Sequence, residues 1–154
     1  MKLAEALIKR ADLKARIAQI ISRMTENALV QEGDAPDEDM TELQALYDFS
    51  MKEMEQLIIR INKTNNETML GDVSVAAAIA KRDCLKAKIA AYRSLKEAAT
   101  KKPSRFDRYE SNVNVKYVRT VDIAELQKTM DDLSRQFREL DTKIQGCNWN
   151  SDLL

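Results

Sequence analysis

Four polar residues interrupt or end apolar seams, and two carboxylates lie beside them. Arg10 falls between Leu7 and Leu13, Arg82 between Ile79 and Leu85, and Asn62 and Asn65 finish a third seam, with Asp12 and Asp83 nearby as counter-charges. Guanidinium, carboxylate and amide groups brought into one layer could do either of two things. As a closed, mutually satisfied set they would be structural, because removing one partner of a buried ion pair strands the other at a cost of about 3 to 5 kcal/mol. As an open set they would line a pocket for an anion. The plain alternative is that Arg10 and Arg82 run their stems along apolar surface into water and that the asparagines stop a helix. If the first three helices run up, down and up, a rise of 1.5 Å per residue puts Arg10, Asn65 and Arg82 within roughly 10 to 12 Å of one end. Trp149 is then available to cover them.

No other constellation competes with this one. The chain contains no His, which removes the commonest general base and metal ligand and rules out the Glu-x-x-His pattern of diiron bundles. Neither a glycine-rich phosphate loop nor a serine elbow is present. No catalytic residue is assigned, and no metal or cofactor is expected. Cys84 and Cys147 lie at or beside apolar helical positions and are expected as buried free thiols. Val30 to Asp39 combines Gly33 and Pro36 with five acids and reads as a loop. Its spacing does not fit an EF-hand, and several of its acids suit the positive end of the following helix. Lys101, Lys102, Arg105 and Arg108 mix with Phe106 and Tyr109, a composition found at phosphate-contacting surfaces. With 25 basic against 25 acidic residues the chain has no net field, so nucleic acid is not expected as a partner.

The elements that must position the polar layer are helices. Ile123, Leu126, Met130, Leu133, Phe137, Leu140 and Ile144 recur three and four residues apart within Val121 to Trp149, one apolar stripe on a charged helix. Asp122 and Glu125 form a capping box at its start, and Gly146 marks its end. So narrow a seam needs other helices to bury it. From Lys2 to about Asn27, Leu3, Leu7, Leu13, Ile17, Ile20, Ile21 and Met24 make a broad apolar face, and Ala4, Ile8, Ala11, Ala15 and Ala18 make a second strip. Asp39 and Glu42 open another helix to about Asn66, carrying Leu43, Tyr47, Ser50, Met54, Leu57 and Ile61. Gly71-Asp72 signals a turn, after which Ser74 caps a helix from about Val75 to Ala99 whose nine alanines mark it as the most enclosed. Val113, Val115 and Tyr117 alternate with Asn114, Lys116 and Val118, the one strand signal, with Thr68 to Leu70 or a second subunit as its partner. The expected fold is all-α: one domain over 1–154, four long antiparallel helices in a bundle, and one short β-strand element before the last helix.

Leu7-Ile8-Lys9-Arg10-Ala11-Asp12-Leu13, Val30-Gln31-Glu32-Gly33, Arg60 to Asn65, Lys81-Arg82-Asp83, Val118 to Asp122, Arg138-Glu139-Leu140-Asp141 and Asn148-Trp149 resemble, in order, a family of small bacterial proteins often labelled septicolysin. The resemblance implies a helical fold, a bacterial source and, through the label, a cytolytic activity. It assigns no catalytic or binding residue.

Three classes of function follow. The leading one is a non-enzymatic structural or interaction protein acting as a homo-oligomer, because the broad stripes of the first and third helices exceed one seam and a lone strand invites pairing. The alternative is a membrane-active, septicolysin-like pore former whose amphipathic helices open onto lipid. The third is an enzyme using the layer of Arg10, Asp12, Asn62, Asn65, Arg82 and Asp83. No signal-peptide apolar region and no apolar run of the roughly 20 residues a spanning helix needs is found, so the expected location is the cytoplasm.

Overall fold

The computed structural model describes residues 1–101 and 117–154. The four long helices are there: α1 (Leu3–Glu26), α2 (Met40–Glu67), α3 (Val75–Thr100) and α4 (Ile123–Asn150). Between α2 and α3 lies a two-residue hairpin of β1 (Met69–Leu70) and β2 (Val73–Ser74), antiparallel with Met69 opposite Ser74 and Leu70 opposite Val73. Gly71 turns it with φ at 69°, a left-handed conformation that an L side chain resists. Thr68 to Leu70 is thus paired within its own hairpin; the sequence offers it as a partner for the alternating stretch at 113–118. Most of that stretch lies outside the described residues, and its last two members, Tyr117 and Val118, are exposed and outside any strand.

The described residues form two compact units, Met1–Ala77 with Ile144–Leu154, and Ala78–Lys143. In the first, α1 and α2 pack antiparallel. Leu3, Ala6 and Leu13 of α1 meet Leu57 and Ile61 of α2, Lys9 pairs with Glu53 at 2.7 Å, and Arg23 near the end of α1 holds Glu38 just before α2. The tail completes this core. Leu153 is buried with those residues; Leu3 N–H donates to Ser151 O and Leu153 N–H to Met1 O, both at 2.9 Å. Lys2 pairs with Asp152 at 2.9 Å, while Arg60 Nε donates to Leu154 O at 2.8 Å. In the second unit α3 and α4 are also antiparallel, tied by Arg82 to Asp141 at one level and Lys96 Nζ to Gln127 Oε1, 2.6 Å, further along. Ala78, Leu85, Leu126 and Met130 are its buried side chains among the described residues.

Three caps sit where the sequence places them. Asp39 accepts from Thr41 N and Glu42 N, Asp122 from Ala124 N and Glu125 N, and Ser74 Oγ from Ala77 N. Three other expectations are corrected. Gly146 does not end α4: its φ is not positive, and the helix continues to Asn150, whose Nδ2 reaches back to Gly146 O at 2.8 Å. Cys84 is exposed and Cys147 only half-buried, with Sγ 3.4 Å from Ser151 Oγ. Nor is α3 the most enclosed helix. It buries Val75, Ala78 and Leu85, whereas α1 buries six residues. Alanine permits close approach without compelling it, and its high helix propensity is reason enough for its abundance in α3.

Candidate functional site

Of the six polar residues singled out by the sequence, Arg82 and Asp83 are joined directly. Arg82 donates to Asp83 Oδ1 from Nη2 at 2.8 Å and from Nε at 3.1 Å, and its Nη1 reaches Asp141 Oδ1 on α4 at 3.3 Å. Hydrogen bonding to Asp83, assisted by Asp141, raises the guanidinium pKa further above its already high ordinary value. The group is thus a permanent cation with two carboxylates, which links α3 to α4. Its side chain is 24% exposed, Asp141 34% and Asp83 59%, so the cluster stands at the solvent boundary and is not a sealed ion pair.

The other four residues belong to the first unit. Arg10 and Asp12 are exposed on α1, Asn62 is exposed on α2, and Asn65 is half-buried. No hydrogen bond or ion pair joins these four to each other among the described residues. Trp149 is 56% exposed on α4. The polar groups that are buried in this unit are different ones. Thr64 is fully enclosed, donating its hydroxyl to Arg60 O at 2.9 Å and accepting Leu154 N–H at 3.0 Å. Ser50 is equally enclosed and bonds Leu46 O at 2.8 Å. Asn148 is buried on α4 with its Oδ1 unpartnered. Ser50 lies on the apolar stripe that the sequence marks on α2, where a hydroxyl is tolerated because it can bond the carbonyl one turn back, whereas Thr64 falls on the same face in a stretch that reads as a polar helix end.

One turn beyond Arg82 and Asp141, in the second unit, an open groove of about 360 Å³ lies between α3 and α4. Its floor is Ile89, Ala90 and Phe137; Ser134 offers a hydroxyl; Lys86, Arg93 and Arg138 stand around it. None of these three cations makes an ion pair with a described residue. Sequence reading alone does not find the groove, because it depends on the register of two helices whose facing residues are about 45 positions apart. The basic-aromatic run noted at 101–109 lies, from Lys102 onward, outside the described residues. In the acidic segment at 30–39, Glu38 is engaged by Arg23 and Asp39 by backbone amides. Among the described residues no three metal-ligating side chains converge, and no helix is long and apolar enough to cross a membrane.

Residues 10–153 match the model of DUF6847, described as a family of unknown function. A crystal structure of a functionally unknown conserved protein from Corynebacterium diphtheriae superposes with a TM-score of 0.88 at 35% identity, covering 100% of this chain and 99% of that one. No curated protein matches. The resemblance to septicolysin-labelled proteins is corrected by these findings, since neither the matching family nor the matching structure bears that name. The segments that carried the resemblance are helix faces, caps and turns. They belong to a shared fold and assign no activity.

Proposed function

The chain belongs to this family of unknown function, and on that premise we propose that it is a non-enzymatic interaction protein that works by self-association through the outer faces of the α1–α2 hairpin. One observation supports this above the rest: α1 and α2 leave Ile8, Ile21, Phe49, Met51, Ile58 and Ile59 exposed, Ile8, Phe49 and Ile59 by more than half. A two-helix hairpin has a single interior, and at about 100° per residue the strip of Ile8, Ala11, Ala15 and Ala18 falls on the side of α1 turned away from α2. Its three alanines are exposed as well. On α2, Met51 and Ile58 extend the half-buried Met40, Tyr47 and Met54 into a second seam beside the one that α1 covers. An exposed apolar seam such as that on α2 is the kind of surface that a partner covers. A closed symmetric pair would cover the same patch on both copies.

Light scattering coupled to size exclusion at micromolar concentration tests the proposal. The expected particle mass is a multiple of 17.6 kDa. Ile8→Glu with Ile58→Glu should return it to a single chain with helical circular dichroism retained. A wild-type protein that runs as a single chain would overturn the proposal.

A further inference from the structure

We propose that the groove between α3 and α4 binds an amphipathic small-molecule anion, an alkyl or aryl chain ending in a carboxylate or similar acid. The lining decides the class. Lys86 and Arg93 lie seven residues apart on α3, two helical turns or about 10 Å along the axis, and Arg138 faces them from α4. Three cations without an acid partner among the described residues favour an anionic group, and a guanidinium binds a carboxylate through two parallel hydrogen bonds. Between them, Ile89, Ala90 and Phe137 form an apolar floor. A small hydrophilic anion would leave that floor in water. A neutral lipid would cover it but desolvate cations without pairing them, which is costly. A ligand with an acid head and an apolar body satisfies both halves, and 360 Å³ is within the lower range of small-molecule sites. Arg82 does not compete for the acid, because Asp83 and Asp141 already occupy it.

The test uses decanoate below its micelle concentration, with 1-decanol and acetate as matched probes lacking one half of the chemistry, each titrated by calorimetry and by thermal shift. Decanoate should bind saturably, one per chain, while decanol and acetate do not. Ala90→Glu, at an exposed helical position, puts a carboxylate on the floor and should abolish binding with the circular dichroism unchanged. Arg93→Gln with Arg138→Gln should weaken binding at least about tenfold. No decanoate binding, equal binding of decanol, or undiminished binding in Ala90→Glu would each overturn the proposal. So would a fall in particle mass caused by Ala90→Glu in a protein that does not bind decanoate, since the groove would then belong to a contact between copies.

Discussion

Leu153→Ala tests whether the last residues are part of the core or a loose end. Chain termini fray unless tied down, and this one is tied at several points: to the start of α1 through Leu3, Met1 and Lys2, and to α2 through Arg60 and Thr64. Each neutral hydrogen bond contributes about 0.5 to 1.5 kcal/mol net, enough together to hold the segment against the entropy of ordering four residues. Leu153 is 9% exposed and packs with Leu3, Leu13, Leu57 and Ile61. Truncating a buried Leu to Ala costs about 2 to 5 kcal/mol, least where the surroundings can collapse into the space. A tail can close over a small gap more readily than the centre of a helix, so the expected loss is about 2 to 3 kcal/mol. Against a total of about 5 to 15 kcal/mol that is a large share, and for a chain of this size it lowers the melting temperature by roughly 5 to 10 °C. Urea unfolding followed by far-UV circular dichroism gives the free energy, and amide exchange at Leu3 and Leu153 gives the local response. A loss below about 1 kcal/mol with unchanged exchange at both amides would refute the docked tail and, with it, the place of Leu153 in the core.

Gly146→Ala should stabilise the protein by about 0.5 to 1 kcal/mol, because the residue is mid-helix and an added Cβ meets nothing within 4 Å; destabilisation in urea would show that α4 bends or stops there in solution. Gly71→Ala should do the reverse, costing about 1 kcal/mol, since φ at 69° penalises any Cβ; an unchanged denaturation midpoint would show that the hairpin turn is not fixed. In acid, stability should fall below about pH 4: Glu38 is held low by its hydrogen bond with Arg23, Asp39 by the Glu42 and Thr41 amides, and Asp152 by Lys2. Their folded pKa values are depressed, so the stabilisation is present above the unfolded values and disappears as pH drops through the folded ones; a stability that rises on acidification through this window would contradict all three assignments. Arg82→Met and Asp141→Asn should each cost about 1 kcal/mol and couple by about 0.5 to 1 kcal/mol in a double-mutant cycle, the modest size reflecting a cluster open to water; additive effects would mean that the two groups do not meet.

α2, α3 and α4 were legible because two independent signals agreed at each, and α1 from its apolar faces alone. The three-and-four stripes that contain the buried Leu43, Ser50, Leu57 and Ile61, and Leu126, Met130 and Ile144, placed the buried faces, and Asp39, Ser74 and Asp122 placed the starts. Ends were harder to place. A glycine ends a helix where it takes a left-handed conformation, and Gly146 does not: the helical bonding runs on past it, to Ser151 N–H on Cys147 O. The docked tail was not legible at all. Its partners lie 90 or more residues away in sequence, and Thr64, which receives Leu154 N–H, looks in isolation like the start of a polar helix end. The Arg82–Asp83 contact could be read from adjacency, but Asp141 could not, because only the pairing of α3 with α4 brings it within 3.3 Å.

The chain's charges balance, and its ion pairs sit at or near the surface. The ion pairs of Lys2 with Asp152, Arg23 with Glu38 and Arg135 with Asp132 are exposed to varying degrees and individually contribute little. Two of them, however, stand where the chain enters or leaves a helix, so their effect is on register: Arg23 brings the start of α2 back to the end of α1, and Lys2 holds the tail on the first turn. A chain with equal numbers of acids and bases has no net field to steer a charged partner from beyond a Debye length of about 8 to 10 Å. Recognition through local surface chemistry does not depend on such a net field. The two surfaces singled out above suit that regime: an uncovered apolar face on α1 and α2 whose grip grows with salt-insensitive buried area, and a groove whose three cations act only on an acid already seated over Phe137.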